Sequence, residues 1–236
     1  QITAVDGNGN SSSTPDATFT TLDGSSPPGV VSDDFNACAV NDALWSFVDP
    51  RGDGGVAMNG TQLVLSVPAG TSHDVWSGGN MAPRLMQAVA DEDFELEVKF
   101  ESTVSEQYEM QGIIVEQDGG NFLRFDFYGA GGQVRVFAAS FVGGSPTAIA
   151  DVGLSTVDQP LYMRITRNGD TWTQSYSIDG ANWTATASFV RSLVVGQVGV
   201  FAGNSGSNPA HTALVDYFFN TTAPIIPEDG QGVTCN

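Results

Sequence analysis

The chain of 236 residues carries 27 acidic and 8 basic side chains, a net charge of −19, with 41% hydrophobic residues. This length and apolar content suffice for one large all-β domain, or for a domain plus a fragment of another, while the charge repels nucleic acid and anionic membrane surfaces. No apolar run has the length of a membrane-spanning helix, which excludes membrane insertion by that route. Acidity of this degree fits extracellular, cation-containing surroundings that screen self-repulsion, and equally a plain role in solubility. No signal peptide opens the sequence, which begins in mid-pattern at Gln1, as expected where a targeting segment has been removed or is not included.

The first two dozen residues stand apart from the rest of the chain. Ile2-Thr-Ala-Val-Asp-Gly-Asn-Gly-Asn-Ser-Ser12 and Ala17-Thr-Phe-Thr-Thr-Leu22 read as short strands around a Gly-Asn turn. Over residues 1–24 this pattern resembles the last two strands of a fibronectin type III module. An isolated hairpin is marginal in water, so it is expected to pack on the main domain or on a neighbouring chain. Asp6-Gly-Asn-Gly-Asn10 imitates the opening of a calcium loop, but Ala17 stands where the closing glutamate belongs, so it reads as a turn. Residues 25–31, with Ser25-Ser-Pro-Pro-Gly29, form a linker.

Beyond the linker, segments in two-residue alternation succeed one another, separated by Gly, Asn, Asp and Pro. The alternation predicts strands at 62–67, 94–100, 108–116, 122–128, 133–141, 161–167, 172–178, 197–202 and 212–219. Turns are predicted at Asn59-Gly60, Asp118-Gly119-Gly120-Asn121, Asn168-Gly169-Asp170 and Asp179-Gly180. About a dozen short strands joined in this way argue for an all-β, two-sheet antiparallel β-sandwich.

Several stretches carry a closer resemblance. They are Asp33-Asp-Phe35 with Leu44-Trp45, Asp93-Phe-Glu-Leu-Glu-Val-Lys-Phe100 and Gln111-Gly-Ile-Ile-Val-Glu-Gln-Asp118, then Asn121-Phe-Leu-Arg-Phe125, Tyr162-Met-Arg-Ile-Thr-Arg-Asn-Gly169 and Tyr176-Ser-Ile-Asp-Gly-Ala-Asn-Trp183. In this order they resemble the concanavalin A-like (LamG-like) jelly-roll domains of bacterial secreted proteins, similar to the C-terminal sandwich of family 43 glycoside hydrolases. The resemblance implies a two-sheet jelly roll over residues 32–222, of a kind often attached to carbohydrate-active enzymes, followed by a tail at 223–236.

The face opposite the core carries the chemistry. On the strand 122–128, Leu123, Phe125 and Phe127 point one way, while Phe122, Arg124, Asp126 and Tyr128 point the other. The same alternation puts Arg135 and Phe137 opposite Val134, Val136 and Ala138, and Lys99 and Arg164 on outward positions. In a chain with one lysine, Lys99, Arg124, Arg135 and Arg164 are expected on one sheet, beside Glu95, Glu97, Glu116 and Asp126. Planar polar groups exchange paired hydrogen bonds with sugar hydroxyls, and aromatic rings cover apolar sugar faces. The loop from His73 to Arg84 is expected to add His73, Asp74, Trp76, Asn80 and Arg84 at the rim. The candidate ligand site therefore comprises His73, Asp74, Trp76, Asn80, Arg84, Glu116, Arg124, Asp126, Tyr128 and Arg135. The competing interpretation is a salt-bridged, solvated sheet face with Trp76 plugging the sandwich edge.

A glycosidase needs two carboxyl groups at a set separation. The run Glu95-Leu-Glu-Val-Lys99 lacks the third acid of the family 16 jelly-roll hydrolases, which leaves a cross-strand pair such as Glu97 with Glu116 or Asp126 for catalysis. No Gly-x-Ser-x-Gly sequence exists, and His73 and His211 have no triad context. The two cysteines, Cys38 and Cys235, read as a disulfide tying the tail to the start of the sandwich, two free thiols being the alternative. Asp33, Asp34 and Asp53 are candidate oxygen ligands for a structural calcium, an ion that concanavalin A-like domains often keep. Asn10, Asn59, Asn182 and Asn220 begin glycosylation sequons.

The function expected from these features is a non-catalytic, lectin-like carbohydrate-binding module of a secreted multidomain protein, with a polysaccharide or glycan as its partner. A second reading is a structural or adhesive surface module that self-associates through its N-terminal strands by strand addition. A glycoside hydrolase is the third.

Overall fold

The structure, a computed structural model, describes residues 3–5, 11–13, 27–154, 160–230 and 233–235. Among the described residues the regular elements are all strands: β1 (Thr3–Val5), β2 (Ser11–Ser13), β3 (Ser46–Val48), β4 (Gly55–Met58), β5 (Leu63–Val67), β6 (Val75–Trp76), β7 (Gly79–Asn80), β8 (Arg84–Ala88), β9 (Phe94–Phe100), β10 (Met110–Asp118), β11 (Asn121–Gly129), β12 (Val134–Val142), β13 (Ser145–Gly153), β14 (Leu161–Asn168), β15 (Thr171–Ser177), β16 (Thr184–Val190), β17 (Gln197–Gly203) and β18 (His211–Asn220). Among the described residues no helix is long and apolar enough to cross a membrane.

Two seven-stranded antiparallel sheets make the sandwich. Sheet I runs β13-β12-β11-β10-β17-β8-β3, and sheet II runs β16-β15-β14-β9-β18-β5-β4. All nine strands predicted from alternation are present. Those not predicted are short or weakly apolar; β13, for example, carries Pro146 and is largely exposed at the edge of sheet I. Edge strands bury little, so their sequences lack the alternating apolar signal.

The predicted turns at Asp118 and Asp179 form through side-chain capping. Asp118 Oδ1 accepts from the backbone N–H of Gly120 and Asn121, both at 2.9 Å, which closes β10 onto β11. Asp179 does the same between β15 and β16, accepting from Ala181 and Asn182 N–H at 2.9 and 2.7 Å.

Leu123, Phe125 and Phe127 of β11, Ile113 and Val115 of β10, and Val136 and Ala138 of β12 face Leu96, Val98 and Phe100 of β9 and Leu161, Met163 and Ile165 of β14. All are fully buried, and each large side chain stabilises the fold by about 1.5–3 kcal/mol. Trp45 closes one end, edge-on to Phe218, with its indole N–H donating to Asp33 Oδ2 at 2.7 Å. Cys38 and Cys235 form the disulfide, and the C-terminal tail lies over the turn at Gly60, where any Cβ would meet the Val233 carbonyl.

A second apolar cluster occupies the opposite face of sheet I. Met86, Met110, Ile114, Phe122, Ala139, Phe141 and Phe201 are buried there under Val75 and Ala82 of the segment that carries the β6–β7 hairpin. That hairpin is a thin third layer, and it turns an outward sheet face into an interior.

The strand order corrects one expectation. Arg124 and Arg135 lie on β11 and β12 of sheet I, whereas Lys99 and Arg164 lie on β9 and β14 of sheet II, so the four cations do not share a sheet. Alternation separates inside from outside but carries no information about which sheet a strand joins. Of the N-terminal segment, β1 and β2 pair antiparallel, Thr3 opposite Ser13. The rest of residues 1–26, including the Asp6–Asn10 turn, lies outside the described residues.

Candidate functional site

Strands β10, β11 and β12 place their outward residues in register. Gly112, Asp126 and Phe137 form one cross-strand row, and Ile114, Arg124 and Ala139 the next. Gly112 is required by close approach: a Cβ there would lie 2.1 Å from the Phe125 carbonyl and 2.6 Å from Asp126 Cβ. The space leaves room for the Asp126 carboxylate, which is wholly buried. Arg124 meets it bidentately, Nε to Oδ1 and Nη2 to Oδ2, both at 2.8 Å. Nη1 donates to the Val75 carbonyl at 2.8 Å, so the arginine also pins the hairpin to the sheet. Its guanidinium carbon sits 5.0 Å from the Phe137 ring centroid. Burial pushes the Asp126 carboxyl upward from its ordinary value, and the guanidinium opposes that shift.

Above this pair opens a cleft of about 310 Å³. Trp76 and Phe137 form one part of its wall, edge-to-face at 5.8 Å. Tyr108 and Tyr128 form another, stacked at 6.2 Å with 23° between planes. Arg124 and Met110 lie beneath, and Asp74, Ala148 and Ser205 complete the lining. Tyr128 donates its hydroxyl to Asp151 at 3.1 Å, and burial with this bond pushes the phenol up to about 12. Arg135 holds the same carboxylate, Nε to Oδ1 at 2.6 Å.

Tyr108 is the residue that sequence reasoning missed. It is 42% exposed and has φ +62°, a left-handed conformation that a bulky side chain adopts only when its surroundings enforce it. Its N–H donates to Gly129 O at 2.8 Å and its carbonyl accepts from Ser205 N at 3.1 Å. Its ring packs so closely over Gly206 that a Cβ there would lie 2.9 Å from Cδ2. Nothing in the local sequence signals this backbone state. Alternation puts Phe137 on the correct face but does not mark it as a site residue.

The ten candidate residues therefore divide. Asp74, Trp76, Arg124 and Tyr128 line the cleft, Asp126 lies beneath it, and Arg135 flanks it through Asp151. His73, Asn80, Arg84 and Glu116 lie in closed packing instead. His73 is fully buried: its Nε2 is 2.7 Å from Asp53 Oδ1 and its Nδ1 is 3.1 Å from Asn204 Oδ1. Asn204 Nδ2 donates to Pro68 O and Pro209 O at 3.0 and 2.7 Å, which fixes its oxygen toward the histidine. This clasp ties three loops together immediately before Asp74 and Trp76. The hydrogen bond from His73 holds the Asp53 carboxyl below its usual range. At the far end of the hairpin, Asn80 Nδ2 donates to Glu116 Oε1 at 2.9 Å, with Arg84 Nε also 2.9 Å from that oxygen; burial pushes the Glu116 carboxyl up.

The catalytic pairing does not form. Glu97 belongs to sheet II, where it is bound to Arg164 and, at 2.7 Å, to the Tyr217 hydroxyl, whereas Glu116 and Asp126 belong to sheet I. Asp33, Asp34 and Asp53 are not brought together either. Asp33 caps Phe35 N–H and Trp45, Asp34 accepts from Asn36 N–H, and Asp53 bonds His73. Among the described residues the acidic side chains that do converge are Asp216, Glu228 and Asp229, with Lys99 Nζ 2.6 Å from Asp216.

A family described as "Protein of unknown function (DUF1349)" matches residues 59–218. No curated protein matches. Among solved structures, the chain is similar to the GH43 protein BlXynB (mutant K247S) from Bacillus licheniformis, with 16% identity and a TM-score of 0.64 over 92% of this chain and 45% of that one. It is also similar to a functionally unknown protein from Saccharomyces cerevisiae, with 13% identity and a TM-score of 0.61 over 75% and 97% of the two chains. A third is the CBM2 module of the Lactobacillus casei BL23 phage J-1 evolved Dit, with 13% identity and a TM-score of 0.58 over 82% and 95%. These likenesses show the sandwich fold, and the chain spans less than half the length of the GH43 protein it matches.

Proposed function

The chain belongs to the DUF1349 family, and from that premise we propose that it is a non-catalytic carbohydrate-binding module of a secreted protein, with its site in the cleft of sheet I. The observation that carries this reading is the cleft's wall of four aromatic rings, Trp76, Tyr108, Tyr128 and Phe137, around polar groups held rigid by Asp126 and Asp151. Such a wall covers the apolar face of a sugar ring, and the carboxylate of Asp74 in the lining is an acceptor for its hydroxyls. The strained backbone of Tyr108 presents one ring ready-placed.

The non-catalytic reading is supported by the state of the carboxylates. Asp126 is sealed beneath Arg124 and cannot approach a glycosidic bond, which leaves Asp74 without a partner acid in the cleft lining. The Cys38–Cys235 disulfide suits an oxidising, extracellular compartment. The similar solved structures include a CBM2 module and GH43 proteins, which agrees with a glycan partner. A structural calcium is not part of this reading, because Asp33 and Asp53 are engaged with Trp45 and His73.

A glycan array probed with the parent chain and with Tyr108→Ala and Trp76→Ala, each checked for folding by circular dichroism, tests the proposal. Binding by the parent that falls at least about tenfold in each variant is the expected result, given that stacked aromatics dominate such sites. An array on which the parent binds nothing overturns it. The free edge of β13 favours a second reading, assembly by strand addition of the N-terminal strands. Loss of a dimer on deleting residues 1–24, read by light scattering, would support that alternative.

A further inference from the structure

We propose that the cleft selects uncharged sugar residues and discriminates against glycans carrying carboxylate or sulfate groups. This inference rests on the glycan-binding reading above and names the ligand class of that site.

An arginine on an aromatic-walled surface ordinarily serves as an anion receptor, through two parallel N–H donors of its planar fork. The fold removes that capacity from Arg124. The two donors of its forked edge, Nε and Nη2, are directed into the protein and satisfied by Asp126. Nη1 is drawn to the Val75 carbonyl, and Nη2 also lies 3.3 Å from Met110 Sδ. Because Asp126 is wholly buried, no ligand anion can take its place without leaving that carboxylate unpaired in the interior.

The next cation outward is neutralised in the same way. Arg135 Nε binds Asp151 Oδ1 at 2.6 Å and its Nη2 donates to the Asp151 carbonyl at 3.0 Å. The Tyr128 hydroxyl is turned toward that same carboxylate and presents no free proton to an incoming anion.

What remains in the lining is Asp74. Its carboxylate has no hydrogen-bond or ion-pair partner among the described residues, and it lies close enough to Asp126 for the two charges to repel. The surroundings of the cleft therefore hold three carboxylates, Asp74, Asp126 and Asp151, against two guanidinium groups. The chain's net charge of −19 adds a field of the same sign. A neutral sugar gains from this arrangement, because its hydroxyls donate to Asp74 while its ring lies on Tyr108. An acidic sugar meets a net repulsive field.

The test uses two oligosaccharides of identical backbone and linkage, one a neutral hexose oligomer and the other the corresponding hexuronate, titrated calorimetrically against the full chain and against Asp74→Asn. The neutral oligomer should bind at least about tenfold more tightly at low salt, the difference expected of like charges a few ångströms apart near a protein surface. The gap should shrink in Asp74→Asn and in raised salt, while the parent's affinity for the neutral oligomer stays insensitive to salt. Equal or tighter binding of the hexuronate by the parent overturns the selectivity and leaves the glycan-binding reading standing. A gap that persists unchanged in Asp74→Asn and in high salt overturns its electrostatic origin, and the proposal with it. If neither oligomer nor any arrayed glycan binds the parent, the glycan-binding reading itself fails and takes the selectivity with it.

Discussion

Asp126 carries its carboxylate where no water reaches it, and its pairing with Arg124 makes that position tolerable. Removing one partner leaves the other unpaired in the interior, so Asp126→Ala should destabilise the fold by about 3–5 kcal/mol in urea unfolding, while the double change Arg124→Met with Asp126→Leu should cost markedly less. His211 presents the opposite case, a buried ring without a full complement of partners. Its Nε2 has no hydrogen-bond partner, its Nδ1 lies 3.9 Å from Glu109, and burial holds it down to about 4. A folded-state value below the ordinary 6.5 means that the fold favours the neutral ring. Its contribution is therefore present above pH 6.5 and lost as pH falls through about 4. The unfolding midpoint measured from pH 7 to 4 should fall less steeply in His211→Gln than in the parent.

The β6–β7 hairpin decides whether sheet I has a cleft at all. Its four paired residues cannot hold together alone, and they stay in place because Arg124 grips Val75 from below and the Asn204–His73–Asp53 clasp fixes the chain just before them. Asn204→Ala removes the acceptor of two His73 bonds and the donor to the Pro68 and Pro209 carbonyls, all in closed packing. A loss of about 2–3 kcal/mol is expected from leaving such groups unsatisfied. Amide exchange at 73–80 should rise well above that of β10 and β11, because the hairpin can open while the sandwich stays folded. Unchanged exchange there would show that the hairpin is held by packing alone.

At the scale of the whole molecule, the disulfide closes the chain across a separation of 197 residues and keeps the tail on the first turns of the sandwich. Converting Cys38 and Cys235 to serine should cost about 2–5 kcal/mol in denaturant unfolding. In that variant the tail is held by non-covalent contacts such as Asn36 Nδ2 to Glu228 O at 2.8 Å and Ser32 Oγ to Ala223 O at 2.7 Å. Burial and the neighbouring Asp216 push the Glu228 carboxyl up to about 7. A raised folded value means that the bound state favours the protonated acid. Its share of docking is thus complete below about pH 4.5 and lost as pH rises through 7. Hydrogen exchange of 223–230 in the serine variant should accelerate from pH 5 to 8 beyond the intrinsic trend, and Glu228→Gln should remove the excess.

Which face of each strand meets the core was legible in the sequence, because alternation is a local property with a period of two. Leu123, Phe125 and Phe127 could be set against Arg124, Asp126 and Tyr128 with no knowledge of the neighbouring strands, and the capped turns at Asp118 and Asp179 were equally local. The pairing of Cys38 with Cys235 followed from there being two cysteines and was the favoured of two readings. Only the tertiary structure decided which sheet each strand joins, since that depends on packing between segments far apart in the chain. It divided Lys99 and Arg164 from Arg124 and Arg135, and separated Glu97 from its supposed partners. It also decided which polar residues stay open. The 73–82 segment folds over sheet I, closing His73, Asn80, Arg84 and Glu116 away while leaving Asp74, Trp76 and Tyr128 on a cleft with Tyr108. The strained turn at Tyr108 exists because Gly129, Ser205 and Gly206 converge on it from different strands and loops, a convergence that no stretch of sequence encodes by itself.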